Sequence, residues 1–339
     1  MRPSFSLALF PSRADPADAP APAQWIQCAQ AAEYAGLEGL FIATGPRLLD
    51  GLGIAAQLSA HTRRLALEVS VGAGLLLPTA LAASAQSLQA LSGGRLRLHL
   101  ADATQPVAGA SLNRDQRREW SGEYLRILDH LLCPDSAPLD FAGRHFRLER
   151  AGLDKRPLPR PPLLLDCAAD LPQIARYADL CLLGDPQPRR IEAMIQRLRG
   201  HTAEAGRTLG FACTLGVIVD PDEERAWAEA GRQWAGDGVR AAPTSPASSG
   251  VARLCRGGVD SPRRFEIYPN LCQPDPARPA QLVGTPRQLA ARLRELHALG
   301  VEHIVLDLYP QVPQLLRFAE QVLPALASAI EREQRHGAA

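Results

Sequence analysis

Side chains that could do chemistry stand at the ends of short apolar runs along this chain. They are a threonine, a histidine, two aspartates and a tyrosine, namely Thr44, His99, Asp102, Asp166 and Tyr309. Short apolar runs that alternate with amphipathic helical stretches predict the strands of a parallel sheet wrapped by helices. In a barrel of such strands, the chemistry lies at the C-terminal ends. We therefore predict that these five residues cluster at one end of a barrel.

About eight predicted strands would position these residues. The strands are Phe5–Phe10, Gly39–Ala43, Leu65–Val71, Leu96–Leu100, Pro162–Leu165, Leu180–Leu183, Phe211–Val219 and His303–Leu308. The predicted helices between them are Ala23–Ala35, Pro78–Leu91, Gln116–Leu132, Pro188–Ala205 and Glu223–Gln233. A further helix begins with Thr285 as its N-cap and ends at Gly300. Because eight parallel strands close a (β/α)8 barrel, the predicted fold class is α/β, a TIM-type barrel with insertions.

Two segments interrupt the alternation of strands and helices. Residues 137–162 contain a predicted hairpin and a connection rich in proline and arginine, and residues 236–280 are rich in Gly, Pro, Ser and Arg. Long segments of this kind within a compact domain are usually functional lids or disordered stretches. We predict one domain over residues 1–339, with residues 236–280 as a mobile lid; a surface loop without a role is the equal alternative.

Composition narrows the classes of function. The 339 residues are 46% hydrophobic and carry a net charge of +1, which gives no basic surface for nucleic acid or an anionic membrane. The sequence has no predicted signal peptide and no window long enough to span a membrane, so we expect a cytoplasmic protein. Seven cysteines without a CxxC pair predict free thiols, and they predict neither a disulfide framework nor a metal site.

Several segments resemble the two-component alkanesulfonate monooxygenases, which belong to the luciferase-like monooxygenases that use reduced flavin. They are AAEYAGLEGLFIATG, TRRLALEVSVGAGLLLPTALAASAQSLQALSGGRLRLHL, LDFAGRHFRLE, EIYPNL and the C-terminal stretch that runs from LVGTP through VEHIVLDLYP. The resemblance spans nearly the whole chain and implies a luciferase-like barrel. It also implies reduced FMN supplied by a separate flavin reductase, a small-molecule substrate, and assembly as a homo-oligomer.

The resemblance also assigns site residues. It places Thr44, His99 and Asp102 around the flavin, and it places Ala168 and Ala169 in the turn that holds the flavin phosphate. Arg118 takes the position of a family tyrosine and is the candidate substitute as a phosphate ligand. Two further assignments follow, since Tyr309 matches an active-site tyrosine and Arg278 is the nearest substitute for the arginine of a glycine-rich loop.

The chain departs from the family pattern around the cofactor. The family motif N-x-V-T-G-x-D-P reads HLADATQP from His99 onward, and the phosphate turn G-G-S-S reads DCAA from Asp166 onward. The position of the family's active-site cysteine holds Leu48. Such phosphate turns need small residues and hydroxyls, and a carboxylate opposes an anion. We therefore expect weak FMN binding.

Two functions remain open from the sequence. The first is an FMN-dependent monooxygenase that acts on a small organic substrate, sulfur compounds included. The second is a catalytically degenerate paralogue that serves as a binding or partner subunit.

Overall fold

The chain folds into a closed barrel of eight parallel strands with helices outside it, as the sequence predicts. The computed structural model describes residues 2–10, 21–43, 49–101, 112–153, 158–236, 261–276, 278–309 and 311–337. In chain order the strands are β1 Ser4–Ala8, β2 Gly39–Ile42, β3 Ala66–Gly72, β4 Leu96–Ala101, β5 Leu139–Ala142, β6 Arg147–Ala151, β7 Leu163–Asp166, β8 Leu180–Leu183, β9 Gly210–Val219, β10 Glu266–Tyr268, β11 Leu271–Cys272, β12 Gln281–Gly284 and β13 Val301–Asp307.

The barrel follows the strand order β1-β2-β3-β4-β7-β8-β9-β13. All neighbours in this order are parallel, and the pairing of β13 with β1 closes the circle. All eight strands predicted for the barrel are present, with boundaries that differ by at most two residues from those predicted here. The C-terminal ends of the strands therefore share one end of the barrel.

Ten α-helices occur within the described residues. They are α1 Pro22–Tyr34, α2 Gly51–Ser59, α3 Pro78–Ser92, α4 Arg114–Leu132, α5 Leu171–Tyr177, α6 Pro188–Ala205, α7 Glu223–Gly236, α8 Pro286–Ala298, α9 Gln311–Arg317 and α10 Leu323–Gly337. The N-cap Thr285 accepts a hydrogen bond from the Gln288 backbone N–H, as the sequence predicts for α8. The sequence does not predict α2 and α5, because both are short and neither shows a long amphipathic period.

Both predicted insertions contain regular structure. Strands β5 and β6 form a separate two-stranded antiparallel sheet. In the second segment, β10 and β11 pair antiparallel, and β11 pairs antiparallel with β12. β12 then continues the main sheet by pairing parallel with the C-terminal half of β9. A small second core of Trp227, Trp234, Phe265 and Val283 anchors this extension. Residues 237–260 lie outside the described residues, so the role of a lid stays a prediction.

The barrel interior contains a buried charged cluster below the C-terminal end. The carboxylate of Glu68 on β3 is fully buried and accepts hydrogen bonds from Ser6 Oγ at 2.7 Å and Arg97 Nη1 at 2.8 Å. His303 Nε2 lies 3.2 Å from the other carboxylate oxygen. A Cβ at Gly39 would meet Ser6 Oγ at 2.3 Å, so the cluster requires glycine at that position of β2.

Two kinds of feature are absent from the described residues. No helix in the described part of the chain is long and apolar enough to cross a membrane. Among the same residues, no group of three or more His, Cys, Asp and Glu side chains could hold a metal ion.

Candidate cofactor site

Two of the predicted site residues form a hydrogen-bonded pair at the C-terminal end of the barrel. His99 Nε2 on β4 lies 3.0 Å from Oδ1 of Asp166, the last residue of β7. The other ring nitrogen of His99 lies 3.1 Å from Ser70 Oγ on β3, and the Phe41 ring packs against the imidazole. His99 is buried while the Asp166 carboxylate is partly exposed, so a fixed carboxylate faces the barrel end.

The turn after β7 uses most of its backbone N–H groups within the protein. The Cys167 N–H donates to the Leu182 carbonyl, and the Ala169 N–H donates to the Asp166 carbonyl. The Cys167 thiol accepts from the Gly184 N–H, and its burial is the main reason that its pKa is raised. A phosphate-holding turn needs N–H groups that point at the anion. This turn is therefore poorly suited to hold a phosphate with its backbone alone.

A gap opens directly beside this turn, between α4 and α6 and at the start of α5. α5 has 7 residues, whereas α4 and α6 have 19 and 18. The gap has a volume of about 770 Å³. Its inner wall is the turn itself, with Ala168 and Ala169, and its two side walls are faces of α4 and α6.

Five cationic or potentially cationic side chains line this gap. They are Arg114, Arg117, Arg118, Arg197 and His201. Three of them occupy the first two turns of α4, where the helix dipole disfavours positive charge and like charges three or four residues apart repel one another. The gap also contains Asp115 and Asp170, and Arg118 Nε lies 3.2 Å from Asp170 Oδ2. This excess of positive charge is suited to an anionic ligand.

The remaining predicted site residues have different positions. Tyr309 follows β13 at the same end of the barrel and is 46% exposed. Arg278 precedes β12 and lies 3.4 Å from Asp275 in an ion pair. Thr44 and Asp102 lie outside the described residues.

The gap therefore unites three predicted residues, Arg118, Ala168 and Ala169, with cations that the sequence does not single out. Of the additional cations, Arg197 and His201 have a weak signal in the sequence, because they recur four residues apart on one helix face. Nothing in the sequence connects them to Arg118, since α4 and α6 line one gap only in the folded chain.

The fold and this site define a class of enzyme. A model of the luciferase-like monooxygenase family matches residues 3–303. The chain therefore belongs to the luciferase-like monooxygenases, which are flavin-dependent oxidoreductases. The closer resemblance to alkanesulfonate monooxygenases stays a prediction.

Solved structures share the fold over nearly the whole chain. The EDTA monooxygenase EmoA from Chelativorans sp. BNC1 superposes with a TM-score of 0.74 at 18% identity, over 97% of this chain and 94% of that one. The riboflavin lyase RcaE, solved with modified FMN and riboflavin, gives 0.75 at 19% identity, over 97% and 92%. An F420-dependent secondary alcohol dehydrogenase gives 0.70 at 18% identity, over 96% and 99%. At these identities the similarity concerns the fold alone.

Proposed function

We propose that the protein is a monooxygenase that uses reduced FMN supplied by a separate flavin reductase. The observation that carries this proposal is the cationic gap beside the β7–α5 turn, because a phosphate monoester carries a charge of about −1.5 to −2 and suits clustered guanidinium groups. Arg118 and Arg117 would hold the phosphate against Ala168 and Ala169. The guanidinium groups would then replace the N–H groups that the turn uses internally.

The other residues at the barrel end have roles that follow from their positions. A bound reduced flavin would supply the electrons that activate oxygen for transfer to a substrate. Asp166, fixed by His99, would place a negative charge at the mouth, and the Tyr309 hydroxyl would donate a hydrogen bond to the reacting groups. Because a carboxylate repels anions, we expect small neutral organic substrates, thioethers and sulfones included, to outperform sulfonates.

The test of the phosphate site compares FMN with riboflavin, which lacks the phosphate. Hydrogen bonds to charged groups contribute about 1.5–3 kcal/mol, so FMN should bind at least about tenfold more tightly than riboflavin. Arg118→Gln should weaken FMN binding and leave riboflavin binding unchanged. Arg147→Gln, on the exposed hairpin strand β6, is the matched control. Equal affinities for FMN and riboflavin in the unaltered protein would refute this site, and the absolute affinity tests the sequence-based expectation of weak binding.

The second candidate function is a catalytically degenerate paralogue that acts as a binding or partner subunit. It is favoured by the departures at the turn, where the N–H groups of Cys167 and Ala169 are bonded inside the protein. Supplying reduced FMN and oxygen with sulfonates, sulfones and thioethers separates the two candidates. A monooxygenase forms oxygenated product above the background of uncoupled hydrogen peroxide, whereas a paralogue forms none with any substrate class.

A further inference from the structure

The carboxylate of Asp166 lies at the barrel end, and the proposed phosphate site does not use it. The three residues that follow Asp166 line the gap between α4 and α6, whereas Asp166 itself does not. Its side chain contacts His99 on β4 instead, at 3.0 Å. We propose that Asp166 binds the substrate through a weakly acidic O–H or S–H group and then accepts the proton of that group. This inference rests on the proposed monooxygenase function and narrows its substrate class to phenols, enols and thiols.

Two buried side chains hold Asp166 in one orientation. His99 and Ser70 are only 5% and 4% exposed. Ser70 Oγ lies 3.1 Å from Nδ1 of His99, and a serine hydroxyl can either donate to a neutral imidazole or accept from a charged one. Nε2 of His99 therefore carries a hydrogen in both protonation states and donates it to Oδ1 of Asp166. This chain of hydrogen bonds fixes Oδ1 and leaves the other oxygen, Oδ2, to meet a ligand.

The Oδ2 atom of Asp166 has no partner within the described part of the chain. No described residue donates a hydrogen bond to it, and no arginine or lysine among those residues lies within 4 Å of the carboxylate. The side chain is 34% exposed, so a ligand at the barrel end can reach it. An ionised carboxylate only accepts hydrogen bonds, and it accepts them strongly. A neutral ligand meets this requirement with an N–H, O–H or S–H donor, and the last two also carry a proton that can leave.

The other titratable groups around Asp166 are uncharged or already paired. Burial, followed by smaller effects that include the Asp166 charge, raises the pKa of the Cys167 and Cys181 thiols, so both are neutral at pH 7. Asp185, which follows β8, accepts a hydrogen bond from Arg190 at 2.7 Å. The buried charged cluster lies two residues deeper along β3 and β4 and contains its own counter-charges. A preference of the barrel end for O–H ligands would therefore be due to Asp166.

Proton transfer to Asp166 would follow binding. As the substrate reacts, the proton of its O–H or S–H group passes to Oδ2, and the electron pair of that bond stays on the substrate oxygen or sulfur. The carboxylic acid then releases the proton to water when the product leaves. A positioned general base contributes about 10²–10⁴-fold to a rate. Asp166 is then a catalytic residue, and His99 and Ser70 are positioning residues.

The first experiment measures binding without cofactor, by NMR titration of the full chain with phenol and with its methyl ether, anisole. Phenol ionises near pH 10, as tyrosine does, so both probes are neutral at about pH 7. One hydrogen bond to a charged acceptor corresponds to at least about tenfold in affinity, so phenol should bind at least about tenfold more tightly than anisole. Asp166→Asn should abolish this preference, because His99 holds the amide oxygen and the NH2 group then faces the ligand. The matched control is Asp185→Asn, since the Asp185 side chain is 32% exposed at the same barrel end.

The positioning role of Ser70 has a spectroscopic readout. Nitrogen NMR of the neutral His99 imidazole should show a protonated Nε2 and an unprotonated Nδ1. Ser70→Ala removes the donor to Nδ1, so both tautomers should appear and the preference for phenol should fall. Ser70→Thr keeps the hydroxyl and should restore the single tautomer and the preference. A single tautomer in Ser70→Ala would contradict this role.

Turnover with reduced FMN then separates proton transfer from binding. Asp166→Asn should lower kcat about 10²–10⁴-fold for phenols and thiols and should change it much less for thioethers, which have no proton to transfer. Equal losses of kcat for thiols and thioethers would show that Asp166 is no general base.

The binding results decide the substrate class. Equal affinities of the unaltered protein for phenol and anisole would overturn the inference, and so would a preference that survives Asp166→Asn. Tighter binding of methylammonium than of phenol would also overturn it, because Asp166 would then be a cation site. These measurements need no flavin. A failure of FMN to bind more tightly than riboflavin would therefore refute the phosphate site and would be distinguishable from a failure of this inference.

Discussion

Replacing Glu68 with glutamine tests the buried charged cluster inside the barrel. Burial alone would raise the pKa of this carboxyl, but the charge and hydrogen bond of His303, the charge of Arg97 and the Ser6 hydrogen bond outweigh it. The result is a pKa lowered from 4.5 to about 2. A shift of this size corresponds to about 3 kcal/mol of stability at neutral pH. Glu68→Gln should therefore lower the free energy of unfolding by about 3 kcal/mol, because it leaves the Arg97 guanidinium without its buried counter-charge.

The direction of the pKa shift determines how the stability of the protein depends on pH. Since the folded pKa of Glu68 lies below the unfolded value, its contribution is complete above about pH 5 and is lost as the pH falls toward 2. Urea unfolding followed by tryptophan fluorescence at pH 7, 5, 4 and 3 measures this loss. The stability of Glu68→Gln should fall less steeply with acid than that of the unaltered protein. The control is Glu149→Gln, whose carboxylate is exposed. A Glu68 variant as stable as this control at pH 7 would refute the reasoning.

Three further predictions concern catalysis, folding and assembly. Tyr309→Phe should lower substrate-dependent turnover about 10²–10³-fold without changing the unfolding midpoint, because it removes one hydrogen-bond donor at the barrel end. Thr285→Ala should cost about 1 kcal/mol in urea unfolding, because it removes the N-cap of α8. Leu91→Glu should dissociate the expected homo-oligomer in light-scattering measurements, because Leu91 is 67% exposed on α3, a helix without charged residues.

Each of these three predictions has a control substitution, which either keeps the hydroxyl group concerned or lies at an exposed position elsewhere. Tyr34→Phe, at an exposed tyrosine, should leave turnover unchanged. Thr285→Ser keeps the cap hydroxyl and should restore most of the lost stability. Tyr34→Glu should leave assembly intact. Each prediction has one result that would contradict it. These results are full turnover of Tyr309→Phe, a Thr285→Ala variant as stable as the unaltered protein, and an unaltered protein that is already monomeric.

The barrel could be predicted from the sequence because each strand is a local apolar run and most helices carry their own capping signals. Thr285 and Gly300, for example, mark the two ends of the helix between β12 and β13 by residue type and position. Helix α5 has Asp170 in its N-cap position and Pro172 in its first turn, but its seven residues are too few to show a helical period. The gap depends on how α4, α6 and the β7–α5 turn pack together, so it could not be predicted from local patterns.

The contact between His99 and Asp166 could not be predicted from the sequence for a related reason. His99 and Asp166 are separated by 67 residues, and their contact depends on the neighbouring register of β4 and β7. The sequence places both at the end of the barrel and says nothing about their hydrogen bond. In the same way, Arg118 is predicted as a phosphate ligand, whereas the cations of α6 line the same gap only because the fold places α4 and α6 on either side of it.

The most direct test of the account is a crystal structure of the protein with bound FMN. The central claim is that the gap between α4 and α6 holds the cofactor phosphate. The account predicts phosphate density beside Ala168, with guanidinium nitrogens of Arg118 at about 2.7–2.9 Å from its oxygens. Phosphate density at any other place on the chain, or beyond the reach of the α4 arginines, would contradict it.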